Sequence, residues 1–251
     1  MIKLSHLIKG RNYMKMLEDF LKTHDGGALL DIACGGGNFT HQLIASLKSY
    51  ISVTGLDIKP NLQTDFLKNV DGHDVTFVAS AIADYLKITD SFDTISISNA
   101  LHHLEGVGDI LGDLRNILNP DGIIIINEMY SDDLTPAQET QRDLHGLMAQ
   151  LHCVMGEYHH GAFTRAEIHS FINNAGLIVQ HTFNVRKDDA PVEKETNGTD
   201  GPTGRARETI DKAYPDGAPP AVCREFEQLR VRATEIGIAP PPQLTLVCVF
   251  G

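Results

Sequence analysis

The stretch Leu29-Leu30-Asp31-Ile32-Ala33-Cys34-Gly35-Gly36-Gly37-Asn38 decides the fold of this chain. Its beginning belongs to a short apolar run, Ala28–Ile32, which we interpret as a buried strand. Three successive glycines follow, and glycine permits tight turns and close approach of the backbone to a ligand. Helical spacing of apolar residues then continues over Asn38–Lys48. This order predicts the first unit of an α/β sheet, with a ligand beyond the carboxyl end of the strand.

Strand and helix patterns alternate along the rest of the chain. The remaining predicted strands are Ile51–Leu56, Val75–Val78, Thr94–Ser98, Ile123–Ile126, Leu177–Val185 and Leu244–Phe250. Asn119-Pro120-Asp121-Gly122 is predicted to be a turn. Repeated strand–helix units predict a Rossmann-like, doubly wound, mostly parallel sheet with helices on both faces.

We expect the 251 residues to form a single domain. An N-terminal helix is predicted over 11–23, and a core over about 26–185 and 243–251. The segment of about 186–242 is an insertion between the last two strands, and a long insertion there is a candidate lid over a pocket. Because Lys187–Asp216 is polar, we predict a surface excursion with one short helix near Glu208–Ala213.

The composition argues against several partners. The net charge is −12, with 33 acidic residues against 21 basic ones, so phosphate backbones are repelled and no nucleic acid partner is expected. No apolar run approaches the ~20 residues that span a bilayer, and the N-terminus lacks the features of a signal peptide. We therefore expect a cytoplasmic protein without a membrane partner. The sequence does not predict the oligomeric state.

Two kinds of cofactor fit the glycine-rich turn. Nicotinamide dinucleotides use a third glycine, but that position is Thr40 here, and an acid, Asp31, precedes the glycines. A carboxylate at this point suits a cationic amino-acid ligand better than a pyrophosphate. Asp57 ends the second strand, at the separation expected of an acid that accepts hydrogen bonds from ribose hydroxyls. It fits the adenosine of either cofactor.

These residues resemble the class I S-adenosylmethionine-dependent methyltransferases, near the small-molecule group often called type 11. The resemblance covers roughly Ala28 to Tyr130. Its further motifs are Phe92-Asp93-Thr94-Ile95, Ser98-Asn99-Ala100-Leu101-His102-His103-Leu104 and Leu118-Asn119-Pro120-Asp121-Gly122. It implies S-adenosylmethionine as cofactor, a seven-stranded sheet with one antiparallel strand near the C-terminus, and methyl transfer to a small-molecule acceptor.

The resemblance also implies the residues that bind the cofactor. Asp31 and Gly35 to Gly37 would hold the methionine moiety, and Asp57 the ribose. Ser80 stands where many members have an aspartate for the adenine amino group, and its oxygen can still accept a hydrogen bond. The N-terminal helix would either close over the cofactor carboxylate or be an ordinary surface. The predicted residues are Arg11, Tyr13, Asp31, Ala33, Cys34, Gly35, Gly37, Asp57, Ile58, Ser80, Ala81, Asn99 and Ala100.

Histidines are the candidate catalytic residues, because imidazole is a natural general base near neutral pH. His102 and His103 are the first candidates and His159 is the next. The alternative for the pair after the fourth strand is that it only shapes a pocket wall. His145, His152 and His159 recur every seven residues. On one helix, successive members would stand ~10 Å apart, which is too far to share an ion. The sequence therefore favours a substrate pocket lined by histidines and predicts no metal site, with metal binding as the lesser alternative.

Two other functions remain open from the sequence. One is an NAD(P)-dependent oxidoreductase, and the other is a non-catalytic protein that binds S-adenosylmethionine. Asn99-Ala100-Leu101-His102 differs from the Asn/Asp-Pro-Pro-aromatic motif of enzymes that methylate amino groups of nucleic-acid bases. With the acidic charge, this difference favours a small-molecule acceptor.

Overall fold

The computed structural model describes residues 13–87, 90–186, 188, 190–194 and 201–251. Seven strands within these residues form one sheet, in the order β3-β2-β1-β4-β5-β7-β6. Their bounds are β1 Ala28–Ile32, β2 Ser52–Asp57, β3 Val75–Ala79, β4 Phe92–Ser98, β5 Leu118–Met129, β6 Leu177–Val185 and β7 Gln243–Phe250. Only β7 runs antiparallel to its neighbours. The predicted seven-stranded, mostly parallel sheet is confirmed.

The helices of the described residues lie between these strands. They are α1 Tyr13–Leu21, α2 Asn38–Ser46, α3 Gln63–Asn69, α4 Ile82–Tyr85, α5 Val107–Asp113, α6 Pro136–Val154, α7 Arg165–Asn174, α8 Pro202–Ala213 and α9 Pro220–Glu235. Short 3-10 turns occur at Pro60–Leu62, Leu101–His103 and Leu114–Asn116. In the part of the chain that the structure describes, we find no helix with both the length and the apolar character needed to cross a bilayer.

The isoleucines of β5 show how the sheet divides the core. Ile124 and Ile126 pack in one layer, and Ile123 and Ile125 pack in the other, because successive side chains point to opposite faces of a strand. Helices α5 and α7 cover the first layer, and α1, α2 and α3 cover the second. The strand is thus buried on both faces, as its unbroken run of β-branched residues predicts.

The predicted turn at 119–122 lies inside β5. Leu118 pairs with Phe92 before it and Ile123 pairs with Thr94 after it, so the ladder continues across the segment. Four residues of β5 therefore oppose one residue of β4, and the register shifts there. The turn prediction was wrong because the turn-forming residues make an irregularity within a strand and do not precede it.

The first helix of the insertion before β7 is longer than predicted. The helix expected near Glu208–Ala213 begins earlier, at Pro202, where proline suits the first helical turn. Helices α8 and α9 pack against α6 and form a third apolar cluster. Its buried members are Leu144, Leu147, Leu151, Ala206, Ile210, Phe226, Leu229, Ala233 and Ile238. The insertion thus adds a helical layer on α6.

Candidate cofactor site and histidine cluster

The loop after β1 has the backbone geometry of a ligand cradle. Ala33, Gly35 and Gly37 have φ angles of 52°, 54° and 81°. A residue other than glycine rarely adopts a positive φ, so Ala33 is held in a strained conformation. A Cβ atom placed on Gly35 would meet no atom within 4 Å, so the space beside this residue is open. A ligand can therefore approach the backbone of the loop closely.

Asp57 fastens this loop to the end of β2. Its Oδ2 atom accepts a hydrogen bond from the Gly35 N–H at 3.0 Å, and its Oδ1 atom accepts one from the Lys59 N–H at 2.9 Å. The side chain is 9% exposed. Because a carboxylate offers about four acceptor positions, these two bonds leave capacity for ribose hydroxyls.

Asp31 lies beneath the loop. Its carboxylate is 1% exposed and accepts hydrogen bonds from Thr40 Oγ1 at 2.5 Å and Ser96 Oγ at 2.6 Å. Burial raises the pKa of Asp31 to about 6, although both hydroxyls favour the charged form. The side chain joins α2 to β4 and is too deeply buried for direct contact with a ligand.

The end of β3 lies beside Asp57, and the end of β4 lies beyond β1 at the same edge of the sheet. The Ser80 N–H donates to the Asp57 carbonyl at 3.0 Å, and the Ser80 hydroxyl donates to the Ala81 carbonyl at 3.1 Å. Ile58 is 67% exposed, which leaves an apolar side chain uncovered next to Asp57. Asn99 is exposed with a φ of 48°, a strained geometry of the kind often found at functional sites.

The other predicted cofactor residues differ in accessibility. Cys34 and Ala100 are buried in the packing beneath the loops, and burial raises the pKa of the Cys34 thiol above its ordinary value. Arg11 lies outside the described residues. Tyr13 begins α1, but its side chain lies outside the described residues too.

A buried acid that the sequence analysis missed holds His102. Glu128 Oε1 is 3.0 Å from His102 Nδ1, and the carboxylate also accepts the N–H groups of Leu101 at 2.8 Å and Met129 at 3.0 Å. Because both backbone groups can only donate, the carboxylate acts as acceptor and His102 Nδ1 donates to it. In the neutral form of this ring, Nε2 of His102 carries the lone pair. The signal in the sequence that could have pointed to Glu128 is an acidic residue two positions after the run Ile123–Ile126.

Three histidines predicted to be far apart meet in the structure. Helix α6 carries His145 and His152 and ends at Val154, and the chain reverses at Gly156, whose φ is 86°. His159 then returns alongside the helix. Its Nδ1 atom is 2.7 Å from Nδ1 of His152, and its Nε2 atom is 3.2 Å from Nε2 of His145. The spacing argument was wrong for His159, because the distance of ~10 Å applies only along one helix and α6 ends before this residue.

His102 and His103 complete this group, which we call the histidine cluster: His102, His103, His145, His152 and His159. The ring centroids of His103 and His159 are 4.1 Å apart, and those of His102 and His103 are 4.4 Å apart. Burial, and next the neighbouring rings, lower the pKa of His103 and of His145 to about 4, and the pKa of His159 further. These three rings are therefore neutral at physiological pH.

The histidine cluster and Asp57 lie at the same edge of the sheet. Lys59, which follows Asp57 closely, has its Nζ atom 3.8 Å from Oε2 of Glu157, which precedes His159. The His160 N–H donates to the His102 carbonyl at 2.7 Å. A cavity of about 450 Å³ near Asp93 lies at the opposite, amino edge and so is not the cofactor site.

A family model described as "Methyltransferase domain" matches residues 23–176, which is more than half of the chain. The chain belongs to this family. The class I S-adenosylmethionine-dependent methyltransferase family predicted from the sequence is confirmed, and with it the methyl donor of that class. The match decides against the oxidoreductase alternative.

Relatives of this methyltransferase are distant. An uncharacterised methyltransferase of Schizosaccharomyces pombe is 25% identical over 198 residues, which cover 71% of this chain and 64% of that protein. A tRNA U34 carboxymethyltransferase of Campylobacter lari is 23% identical over 118 residues, 47% of this chain and 40% of that protein. The chain thus spans less than two thirds of the length of either relative.

The fold of the methyltransferase also matches solved structures. A methyltransferase of Geobacter sulfurreducens, crystallised with S-adenosylhomocysteine, superposes with a TM-score of 0.57 at 17% identity. The match covers 98% of this chain and 95% of that one. At this identity the likeness concerns the fold.

The raised pKa of Asp31 predicts how the free energy of unfolding depends on pH. The folded protein holds a proton on Asp31 up to about pH 6, whereas the unfolded chain releases it near 3.8. The resulting stabilisation is complete below the lower value and is lost as the pH rises through the upper one. Relative to an Asp31→Asn variant, the wild type should lose about 3 kcal/mol of unfolding free energy across this window.

Urea unfolding of both proteins between about pH 4 and pH 7 measures this difference. The protonation of all other groups is common to both proteins and cancels in the comparison. Parallel pH profiles would show that Asp31 titrates normally and that its burial has been misjudged.

Proposed function

We propose that this methyltransferase transfers the methyl group of S-adenosylmethionine to a small-molecule acceptor bound beside the histidine cluster. The observation that carries this proposal is the placement of Asp57. It lies next to an open glycine-rich loop and at the same sheet edge as His102 and His103. One carboxylate thus stands where a nucleoside would bind, and two imidazoles stand where an acceptor would.

The loop and its neighbours fit the methyl donor. The backbone of Gly35 lies beside open space, which suits the methionine moiety, and Asp57 retains acceptor positions for ribose hydroxyls. The exposed side chain of Ile58 is suited to pack against the flat adenine ring, and the Ser80 oxygen to accept from its amino group. S-adenosylmethionine supplies a methyl group already activated on a sulfonium.

The protein's own contribution to the reaction is therefore mostly positioning. Holding donor and acceptor in line removes the entropy cost of their encounter, and a closed site excludes water as a competing nucleophile. His103 is the exposed member of the pair after β4, so it is the ring best placed to meet an acceptor. His102 lies behind it, oriented by Glu128.

The net charge of the chain favours a small-molecule methyl acceptor over a nucleic acid. The chain carries a net charge of −12, and binding of a phosphate backbone depends on neutralising it with lysine and arginine. The Campylobacter relative, whose name gives tRNA as its substrate, makes nucleic acid the alternative to be tested. Burial of His102 and His159 favours an acceptor small enough to enter between side chains.

The insertion is part of the same proposal. Helices α8 and α9 pack on α6, which carries His145 and His152. We propose that the segment of about 186–242 encloses the acceptor side of the site, as a lid would.

Removal of the Asp57 carboxylate should weaken cofactor binding. In Asp57→Ala the ribose loses an acceptor and Gly35 loses its tether, so affinity for S-adenosylhomocysteine should fall by about tenfold or more. Isothermal titration calorimetry measures it. Asp71→Ala, which removes an exposed carboxylate from a loop, is the matched control and should bind like the wild type. Equal affinities in all three proteins would remove Asp57 from the site.

The acceptor class is tested by following the methyl group. S-adenosylmethionine labelled in the methyl group is incubated with the protein and either a small-metabolite filtrate, purified total tRNA or extracted protein. The label should enter the filtrate, and Asp57→Ala should reduce the incorporation. Incorporation into tRNA alone would contradict the small-molecule acceptor while leaving methyl transfer intact.

A further inference from the structure

The histidine cluster has the composition of a metal site. One ligand atom from each of His102, His103 and His159 can be chosen so that all three lie within 4.8 Å of one another. His102 is 2% exposed and His159 is 7% exposed. Buried imidazoles in contact with one another are costly unless their nitrogens find partners, because each ring has one nitrogen that can only accept and one that can only donate.

The nitrogen separations suit a shared ion. Two imidazole nitrogens bound to one tetrahedral zinc at about 2.0–2.1 Å stand about 3.3 Å apart. Nε2 of His159 and Nε2 of His145 are 3.2 Å apart in the structure. The rings are thus already at the distance that two ligands of one ion adopt.

Neighbouring groups orient two of the rings for coordination. His102 donates its Nδ1–H to Glu128, which in the neutral ring leaves the lone pair on Nε2. His159 Nδ1 lies 2.7 Å from His152 Nδ1, and a proton on His159 in this contact leaves the lone pair on Nε2 of His159, the atom that faces His145. Histidine ligands of metals usually donate their second nitrogen to a carboxylate or another acceptor in this way.

One further observation concerns His145. Its Nδ1 atom is buried and has no hydrogen-bond partner among the described residues, which is uncommon for an imidazole nitrogen.

We propose that His102, His103 and His159 bind one divalent first-row transition-metal ion, with His145 beside His159 as a fourth imidazole. An all-imidazole set favours zinc, copper, iron or nickel over magnesium or calcium, which prefer oxygen ligands. The role of the ion rests on the proposed function. At the acceptor side of the site it would bind the acceptor's oxygen or nitrogen and lower the pKa of its proton.

The test is calorimetry of the tag-free full chain, stripped with a chelator, with Zn²⁺ and with Mg²⁺. One Zn²⁺ per chain should bind and Mg²⁺ should not. His103→Ala and His159→Ala should each weaken Zn²⁺ binding by about tenfold or more. His73→Ala is the control, because His73 is an exposed histidine that stacks on Tyr50, away from the cluster. Co²⁺ should give a visible absorption band that both cluster variants lose.

His103 is exposed, so its alanine variant should keep the thermal midpoint of the wild type even if His159→Ala does not fold. Absence of Zn²⁺ binding to the wild type, or equal affinity in the wild type and His103→Ala, would overturn the metal site. S-adenosylhomocysteine affinity is measured on the same stripped samples. Retained affinity with no Zn²⁺ site overturns the metal inference alone, whereas lost affinity overturns the proposed function.

Discussion

The hydrogen bond from the Gly35 N–H to the Asp57 carboxylate is the interaction on which the site depends. It joins the loop after β1 to the end of β2 and holds the loop open toward the ligand side. From below, Asp31 fixes the same loop by binding Thr40 of α2 and Ser96 of β4. The strand order places β1 between β2 and β4. Asp57 therefore binds the loop from the side of β2, and Asp31 supports it from the buried side.

Two electrically different halves meet at this sheet edge. The cofactor half contains carboxylates, which suit a cationic sulfonium nucleoside. The other half contains neutral imidazoles, whose protons are disfavoured by burial and by each other. In the proposed function the first half holds the donor and the second half holds the acceptor, with or without an ion. The strained backbone of Ala33 and Asn99 lies where the two halves face the ligand.

Local sequence patterns predicted most of the fold and about half of the candidate site. The Ile123–Ile126 run, the glycine-rich loop and Asp57 each have a local signal, because burial on both faces, tight turning and strand termination depend on adjacent residues. Family resemblance supplied the strand count and the antiparallel β7, which periodicity alone does not determine.

The remaining features depend on contacts between distant residues. Glu128 reaches His102 only because β4 and β5 align Ser98 with Asn127. His159 reaches α6 only because the chain reverses at Gly156. Helix α8 was underestimated because its few apolar residues become a buried face only against α6. Such contacts depend on tertiary packing. The spacing of apolar residues within one segment therefore does not predict them.

The central claim is that the loop after β1 and Asp57 bind the nucleoside of the methyl donor. A crystal structure of the protein with S-adenosylhomocysteine tests it most directly. The account predicts ribose hydroxyls within hydrogen-bond distance of the Asp57 carboxylate and the amino-acid end of the ligand along Ala33 to Gly37. Density for the nucleoside elsewhere on the molecule, with this loop closed by side chains, would contradict it.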